Sequence, residues 1–510
     1  MMFRMMPRAP LTLLVVVALL LGLLITAFNI WSLSSMHNQY LTLLHSNPTP
    51  QYSQPTKSAP TYIVYAKHPD SGYLKHVFNV LERDGYARGD FNTSTDWDVM
   101  WAHDYPFKKI RDRMLRLKPG QRVNKFPGSG YITNKVNLAT SGLKNVPQAF
   151  QLPKEKNLFL EYAKKHPNKM FVQKSNNHRG IQIEKISNLK LDAEGSFVQE
   201  FIDNPLLVDG YKFDIGLYTT LTSIDPLRVY VHESDVLLRF CPTKYHPFDA
   251  ADKNKYVVQD DYLPSWQVPS FTKYMGDTVG FSFKDTLNAY VKSLGKDPDE
   301  MWEQMYQTIV DVYRSQEEHF IRATSHYPHK EAFFEMVRFD FVIDDQLNVY
   351  LMEANMSPNL SSAHFEANAL LYEQVVHSLL RLVGVVGRSV SGGAGLVLSK
   401  AEKEMQVSDK DVLVSPANCV STECSDKNSC QLEQCELCKK CLSSSDLNNL
   451  RRAWLERKNQ FATRRIFPHG VSLEKANSLS MGQEELADSN RKMSKWYREK
   501  CLMDKSWCDH

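Results

Sequence analysis

The 510-residue chain lacks a charge imbalance: 61 lysines and arginines meet 58 aspartates and glutamates, leaving a formal net charge of +3. Binding nucleic acid through phosphate neutralisation draws on a large basic excess, and no segment matches a nucleic-acid-binding motif, so that class of partner is set aside. Internal repeats and long low-complexity tracts are also missing, which argues against solenoids and arrays. Cysteine is nearly absent before residue 400, where Cys241 stands alone, too little sulfur for a disulfide framework or a thiolate zinc centre. The other eight, Cys419, Cys424, Cys430, Cys435, Cys438, Cys441, Cys501 and Cys508, fall together near the end. An even set in one module reads as disulfides in an oxidising compartment, while the two-residue gaps among Cys435, Cys438 and Cys441 also suit zinc in a cytosolic one.

What is present is an ordinary globular composition, 43% hydrophobic and 23% charged, long enough for two or three domains. A basic flank over 1–10, with Arg4 and Arg8, precedes an uncharged run from Leu11 to Ile30 that can cross a bilayer as a helix. Bulky residues after Ile25 disfavour signal cleavage, so 11–31 reads as a transmembrane anchor. The positive-inside rule places Arg4 and Arg8 in the cytosol and the body on the lumenal side, a single-pass type II arrangement. The Asn-Thr-Ser sequon at Asn92 agrees with that placement, as a glycoprotein site. A Pro/Ser-rich stalk over 32–60 is expected next, extended through NPTPQYSQPTKSAP. Then come an N-terminal α/β unit over 61–105, a central unit over 106–195, a C-terminal unit over 196–386, a linker over 387–415, and a Cys-rich helical module over 416–510. Strands are expected at TYIVYAK, MFVQK, IQIEKI, SFVQEFI, YKFDIGLYT, LRVYVHE and VLLRF. Apolar periodicity predicts helices at Tyr73–Arg83, Asp299–Ser315, Glu366–Val386 and Leu447–Phe461.

The most chemically pointed segment is Phe333 to Leu360, FFEMVRFDFVIDDQLNVYLMEANMSPNL. Strand alternation sends Phe339, Phe341 and Ile343 one way and Arg338, Asp340 and Val342 the other. If the chain reverses over Asp344 to Leu347, Asp340 lies opposite Leu351, with Glu353 and Asn355 diagonally within reach on the same face. An oxygen set of this kind suits magnesium better than zinc or copper. The plainer alternative is an edge hairpin with solvated acids. YKFDIGLYT alternates too, with Lys212, Asp214, Gly216 and Tyr218 on the face opposite Phe213, Ile215 and Leu217.

Three stretches carry a resemblance to the tubulin-tyrosine ligase family. The hairpin is similar to the motif GFDF…D…WLIEVNxSPS of that family's ATP-grasp domain, with Arg338 standing where glycine is usual. VNKFPGSGYITNKVNLA resembles VNHFPG…I..K..L over Val123–Leu138. QEFIDNPLLVDGYKFDIGLYTTLTSIDPLRVYVHESDVLLRF resembles Q.YI.NPLLI.G.KFD.R.Y…T…PLR.Y.Y..G..R. The resemblance implies an α+β or α/β ATP-grasp-like ligase body. It implies magnesium at Asp340, Glu353 and Asn355, and ATP phosphates at Lys174 and at Arg179 and Gly180 of the loop NNHRGIQI. It further implies adenine at the hinge Gln199, Glu200, Phe201 and Ile202, and nucleotide and amino acid at Lys212 and Asp214, with Arg239 beside them as a third catalytic group.

The activity so implied is an ATP- and magnesium-dependent protein–amino acid ligase of the tubulin polyglutamylase type. It joins free glutamate to tubulin or another Glu-rich acceptor by an amide bond through an acyl-phosphate. Microtubules as substrate would require a cytoplasmic body. Three departures stand out: Gly216 replaces the arginine of KFD.R, the second glycine of the family's SSRGxGI loop is missing, and KNKYVVQDDYLPSW stands where the family has HLTN. Loss of one preorganised cation costs roughly a hundred- to a thousandfold in rate. The alternative is therefore a weak or inactive lumenal pseudoenzyme acting as a binding module. KKIRDRMLRLK, with Lys108, Lys109, Arg111, Arg113, Arg116 and Lys118, suits an acidic partner or is a solvated helix face.

Overall fold

The chain divides into two units, Met1–Ser58 and Ala59–His510. The computed structural model describes residues 11–46, 59–175, 181–184, 186–275, 282–387, 400–478 and 487–508. The described residues of the first unit form the helix Leu11–Ser46, which is without Asp, Glu, Lys or Arg. Its stretch Leu19–Met36 is long and apolar enough to cross a membrane by length and composition. The helix continues past Trp31, so the stalk expected from position 32 begins as helix, and 47–58 lie outside the described residues.

In the second unit, β1 (Thr61–Tyr65), β2 (Ala87–Arg88), β3 (Val99–Ala102) and β4 (Arg122–Val123) form a parallel sheet in the order β2-β1-β3-β4. The helix Lys75–Arg83 buries Val77, Val80 and Leu81 at helical spacing. A second, antiparallel sheet has the order β5-β8-β6-β7, from β5 (Ala149–Leu152), β6 (Phe171–Ser175), β7 (Gln182–Glu184) and β8 (Ser196–Glu200).

The largest sheet comprises β9 (Leu207–Val208), β10 (Tyr211–Ile224), β11 (Leu227–His232), β12 (Leu237–Phe240), β13 (Leu263–Pro264), β14 (Glu335–Ile343), β15 (Val349–Asn355) and β16 (Thr463–Phe467). The 14-residue β10 is its spine, pairing β12 through Phe213–Gly216, β11 through Thr219–Ile224, and β14 through Ile215–Leu221. Every residue of β14 is buried, so the alternation expected there separates two covered faces rather than a core face from a wet one.

The eight C-terminal cysteines form Cys419–Cys438, Cys424–Cys435, Cys430–Cys441 and Cys501–Cys508. The thiolates that a zinc centre would need are therefore in disulfide bonds, and Cys241 is free and buried. The last segment of the chain is built into the largest sheet: β16 pairs antiparallel with β11. Arg228 of β11, fully buried, forks onto Glu456 of the helix Ser444–Asn459 at 2.8 and 3.1 Å. The basic stretch KKIRDRMLRLK does not form one helix face. It breaks into Pro106–Lys109 and Arg111–Leu115, and Arg113 turns inward to the carbonyls of Phe91 and Ser94. Lys108, Lys109, Arg111 and Arg116 remain exposed.

Candidate functional site

The hairpin of β14 and β15 turns over Asp344 to Asn348, one residue more than the sequence suggests. The Asp344 carboxylate accepts from the N–H groups of Gln346 and Asn348 at 2.9 and 2.8 Å, and Leu347 takes a positive φ of 66°. Pairing runs Ile343 with Val349, Val342 with Tyr350 and Phe341 with Leu351, then shifts so that Asp340 faces Glu353. Leu351, the expected partner of Asp340, sits opposite Phe341 instead. Met352 is the extra residue, a β-bulge. Without it, Glu353 would lie opposite Phe339 on the other face. With it, the three expected ligands meet: Asn355 Nδ2 donates to Asp340 Oδ2 and to Glu353 Oε1, each at 3.1 Å.

Three cations hold the acids in place. Arg338 donates from Nε and Nη2 to the two oxygens of Asp340 at 2.6 and 2.8 Å. Arg239, opposite Asp214 across the β10–β12 ladder, forks onto Asp214 at 2.9 and 2.7 Å and reaches Asp340 Oδ2 at 3.1 Å. Lys135 pairs with Glu353 at 2.9 Å. Burial pushes the Asp214 carboxyl up to about 6 against the pull of Arg239. Burial acts the same way on Glu353, yet the Lys135 ammonium and the bond from Asn355 hold it well below the usual carboxylate range. Perturbed groups gathered in a cleft are a mark of functional sites.

Lys135, Asp214, Arg239, Asp340 and Glu353 border a cavity of about 880 Å³, which is also lined by residues of β6 and β8. Ligand pockets commonly measure roughly 300–1,000 Å³. Lys174, Glu200, Phe201, Ile202, Lys212 and Asp214 all line it. Lys174 Nζ donates to the side-chain oxygen of Gln199 at 2.9 Å, and burial brings its pKa down to about 8. Gln199 is thereby turned toward Lys174 and the Pro147 carbonyl. Glu200 takes the Tyr162 hydroxyl at 2.7 Å and Lys169 at 2.8 Å. Lys212, lowered by burial, donates to the Tyr256 carbonyl at 3.1 Å and lies 5.1 Å from the centre of the Phe201 ring. Arg179 and Gly180 lie outside the described residues.

Sequence reasoning gave no role to Lys135, although VNKFPGSGYITNKVNLA contains it; Asn134 caps its short helix, Lys135–Ala139, by accepting from Val136 and Asn137. It singled out KNKYVVQDDYLPSW only as a departure from the family, whereas Lys253 and Tyr256–Asp260 of that segment line the cavity.

The donor set is compatible with a hard cation. Among the described residues no three His, Cys, Asp or Glu side chains cluster to hold a metal, but two carboxylates and an amide converge here, and Asp340 and Glu353 both border the cavity. A half-turn of the Asn355 amide presents its oxygen in place of its nitrogen. All donors are then oxygen, as magnesium requires.

Residues 113–391 match the model of the tubulin-tyrosine ligase family. The probable tubulin polyglutamylase ttll-15 of Caenorhabditis elegans is 40% identical over 447 residues, covering 86% of this chain and 84% of that protein. The mouse tubulin polyglutamylase TTLL5 is 32% identical over 298 residues, covering 53% of this chain and 21% of the relative. The human tubulin monoglutamylase TTLL4 is 27% identical over 345 residues, covering 64% and 27%.

Proposed function

Because the chain belongs to the tubulin-tyrosine ligase family, we propose that it is an ATP- and magnesium-dependent ligase that adds glutamate to a Glu-rich protein acceptor, tubulin or another. The observation that carries this reading is the convergence of Asp340 and Glu353, both bonded by Asn355, with Lys174, Lys212, Asp214 and Arg239 on one cavity. Magnesium, held by Asp340, Glu353 and Asn355, would supply charge neutralisation at the phosphate oxygens. Lys174 and Lys212 would grip the phosphates, and Glu200, Phe201 and Ile202 would border the adenine. Arg239, fixed by Asp214, would face the charge that develops as the γ-phosphoryl passes to a substrate carboxylate. An amine then attacks the acyl-phosphate, phosphate leaves, and an amide bond remains.

The apolar helix Leu11–Ser46 and the four disulfides support a type II membrane protein with its body in an oxidising lumen. The acceptor is then a protein of that compartment; tubulin requires the opposite orientation. A glycosidase-sensitive mass shift at Asn92 would support the lumenal placement, and an unshifted chain with free C-terminal thiols would reverse it.

The test of activity is transfer of labelled glutamate to an acidic acceptor by the detergent-solubilised full chain with Mg-ATP. Transfer supports the ligase. Binding of Mg-ATP without transfer to any acidic acceptor supports the second reading, a nucleotide-binding module without turnover, which Gly216 favours because it offers no cationic side chain two residues beyond Asp214.

A further inference from the structure

Gly216 and Arg338 occupy neighbouring strands around one carboxylate. Gly216 pairs with Asp340 across the β10–β14 ladder, and Arg338 pairs with Tyr218 two positions along. The space above Gly216 is filled by the arginine's own stem: a Cβ built on Gly216 would stand 3.0 Å from Arg338 Cδ and 3.3 Å from Asp340 Oδ1. A side chain at 216 therefore requires the stem of Arg338 to give way by a few tenths of an ångström. The tubulin-tyrosine ligase motifs quoted above carry the two residues the other way round, arginine in the position of Gly216 and glycine in that of Arg338.

We propose that Arg338 is a positioning residue of the site, fixing the Asp340 carboxylate from β14 in the space that a side chain at position 216 would need. The inference rests on the magnesium–ATP reading above. Its guanidinium engages both carboxylate oxygens in a fork, and the two side chains are only 8% and 3% exposed. Such a fork fixes the plane of the carboxylate. Asp340, so held, borders the cavity, and its Oδ2 also accepts from Arg239 and Asn355. Arg338 is not among the residues lining that cavity, so it acts through Asp340 rather than on a ligand.

The test compares wild type, Arg338→Lys, Arg338→Gly and Gly216→Arg/Arg338→Gly as full chains in detergent, measuring ATP affinity with and without Mg2+ alongside the thermal midpoint. Lysine keeps charge and stem but not the planar fork. Residues that orient metal ligands typically cost about 10–100-fold in metal affinity when replaced. Arg338→Lys should weaken Mg-ATP binding by that order while metal-free ATP binding and the thermal midpoint stay near wild type. Moving the arginine to position 216 should recover most of what Arg338→Gly loses. The inference is overturned if Arg338→Lys binds Mg-ATP like wild type, or if Mg-ATP and metal-free ATP weaken together, the mark of a general structural role. Should Arg338→Gly fail to fold, Arg338→Lys and the double variant decide. Wild-type protein that binds no Mg-ATP defeats the functional reading and this inference together; wild-type binding that survives every substitution defeats this inference alone.

Discussion

Replacing Glu456 with glutamine tests whether the disulfide-bonded C-terminal segment is structurally part of the body. Glu456 accepts a fork from Arg228 at 2.8 and 3.1 Å and the Tyr230 hydroxyl at 2.9 Å. Arg228 is fully buried, and its remaining Nη1 has no partner, so no second acceptor stands ready to take over. Removing one member of a buried pair costs about 3–5 kcal/mol because the survivor is an uncompensated charge. At about 1.4 kcal/mol per factor of ten, that corresponds to roughly two to four decades in an opening equilibrium. Hydrogen exchange read on peptides covering Leu227–His232 and Thr463–Phe467 should accelerate by that amount, up to the limit set by global unfolding. A double change, Arg228→Met with Glu456→Leu, removes both charges at similar volume and should restore most of the protection. Exchange within about tenfold of wild type at both strands in Glu456→Gln, less than half the loss expected on the logarithmic scale, would refute the claim that this pair fastens β16 and its helix to the sheet.

Nucleotide affinity should fall as pH rises through about 8, where Lys174 loses its proton. The sign for stability is opposite: between that value and the ordinary lysine range the unfolded chain holds a proton that the folded one has shed, so the fold gains as pH climbs. Calorimetric titrations of ATP from pH 7 to 9 check the first direction, and Lys174→Arg should flatten it. Lys135→Ala should release Glu353 toward ordinary carboxylate behaviour and weaken Mg-ATP binding about 10–100-fold, read by the same titration. Reduction should lower the thermal midpoint, since loss of a native disulfide typically costs about 2–5 kcal/mol. Alkylation with mass analysis should find the eight C-terminal cysteines modified only after that reduction.

Much of the fold was legible because alternation and helical spacing are local. YKFDIGLYT became β10, and the helix predicted at Asp299–Ser315 spans Pro298–Ser315. The face shared by Asp340, Glu353 and Asn355 was legible too, though by a register the structure does not use. Two local irregularities, a turn one residue longer and a bulge at Met352, together return Glu353 to the face of Asp340. Neither has a propensity signal strong enough to read: Leu347 at positive φ runs against residue preference and is held by Asp344. Lys135 was illegible because its partner, Glu353, is distant in sequence and pairing between distant segments leaves no periodic trace. Pairing of β16 with β11 is non-local in the same way, so the cysteine-rich segment reads as separate when its composition alone is considered.

The arrangement of charge bears on how ligands would enter. Asp214, Asp340 and Glu353 are bonded by Arg239, Arg338 and Lys135, so the acidic side of the cavity is balanced before anything binds. The lysines on the β6 and β10 walls are bonded differently: Lys174 donates to an amide oxygen and Lys212 to a backbone carbonyl, neither of them a carboxylate. A polyphosphate would therefore find cations whose charge is not already cancelled by a bonded anion. A divalent cation arriving alone would meet carboxylates that are already paired. On the proposed reading, magnesium joins the site as the companion of ATP, because the phosphates supply the negative charge that the compensated carboxylates do not. Metal affinity measured without nucleotide should then be weak, and it should rise when ATP is present; equal Mg2+ affinity with and without ATP would refute this order of binding.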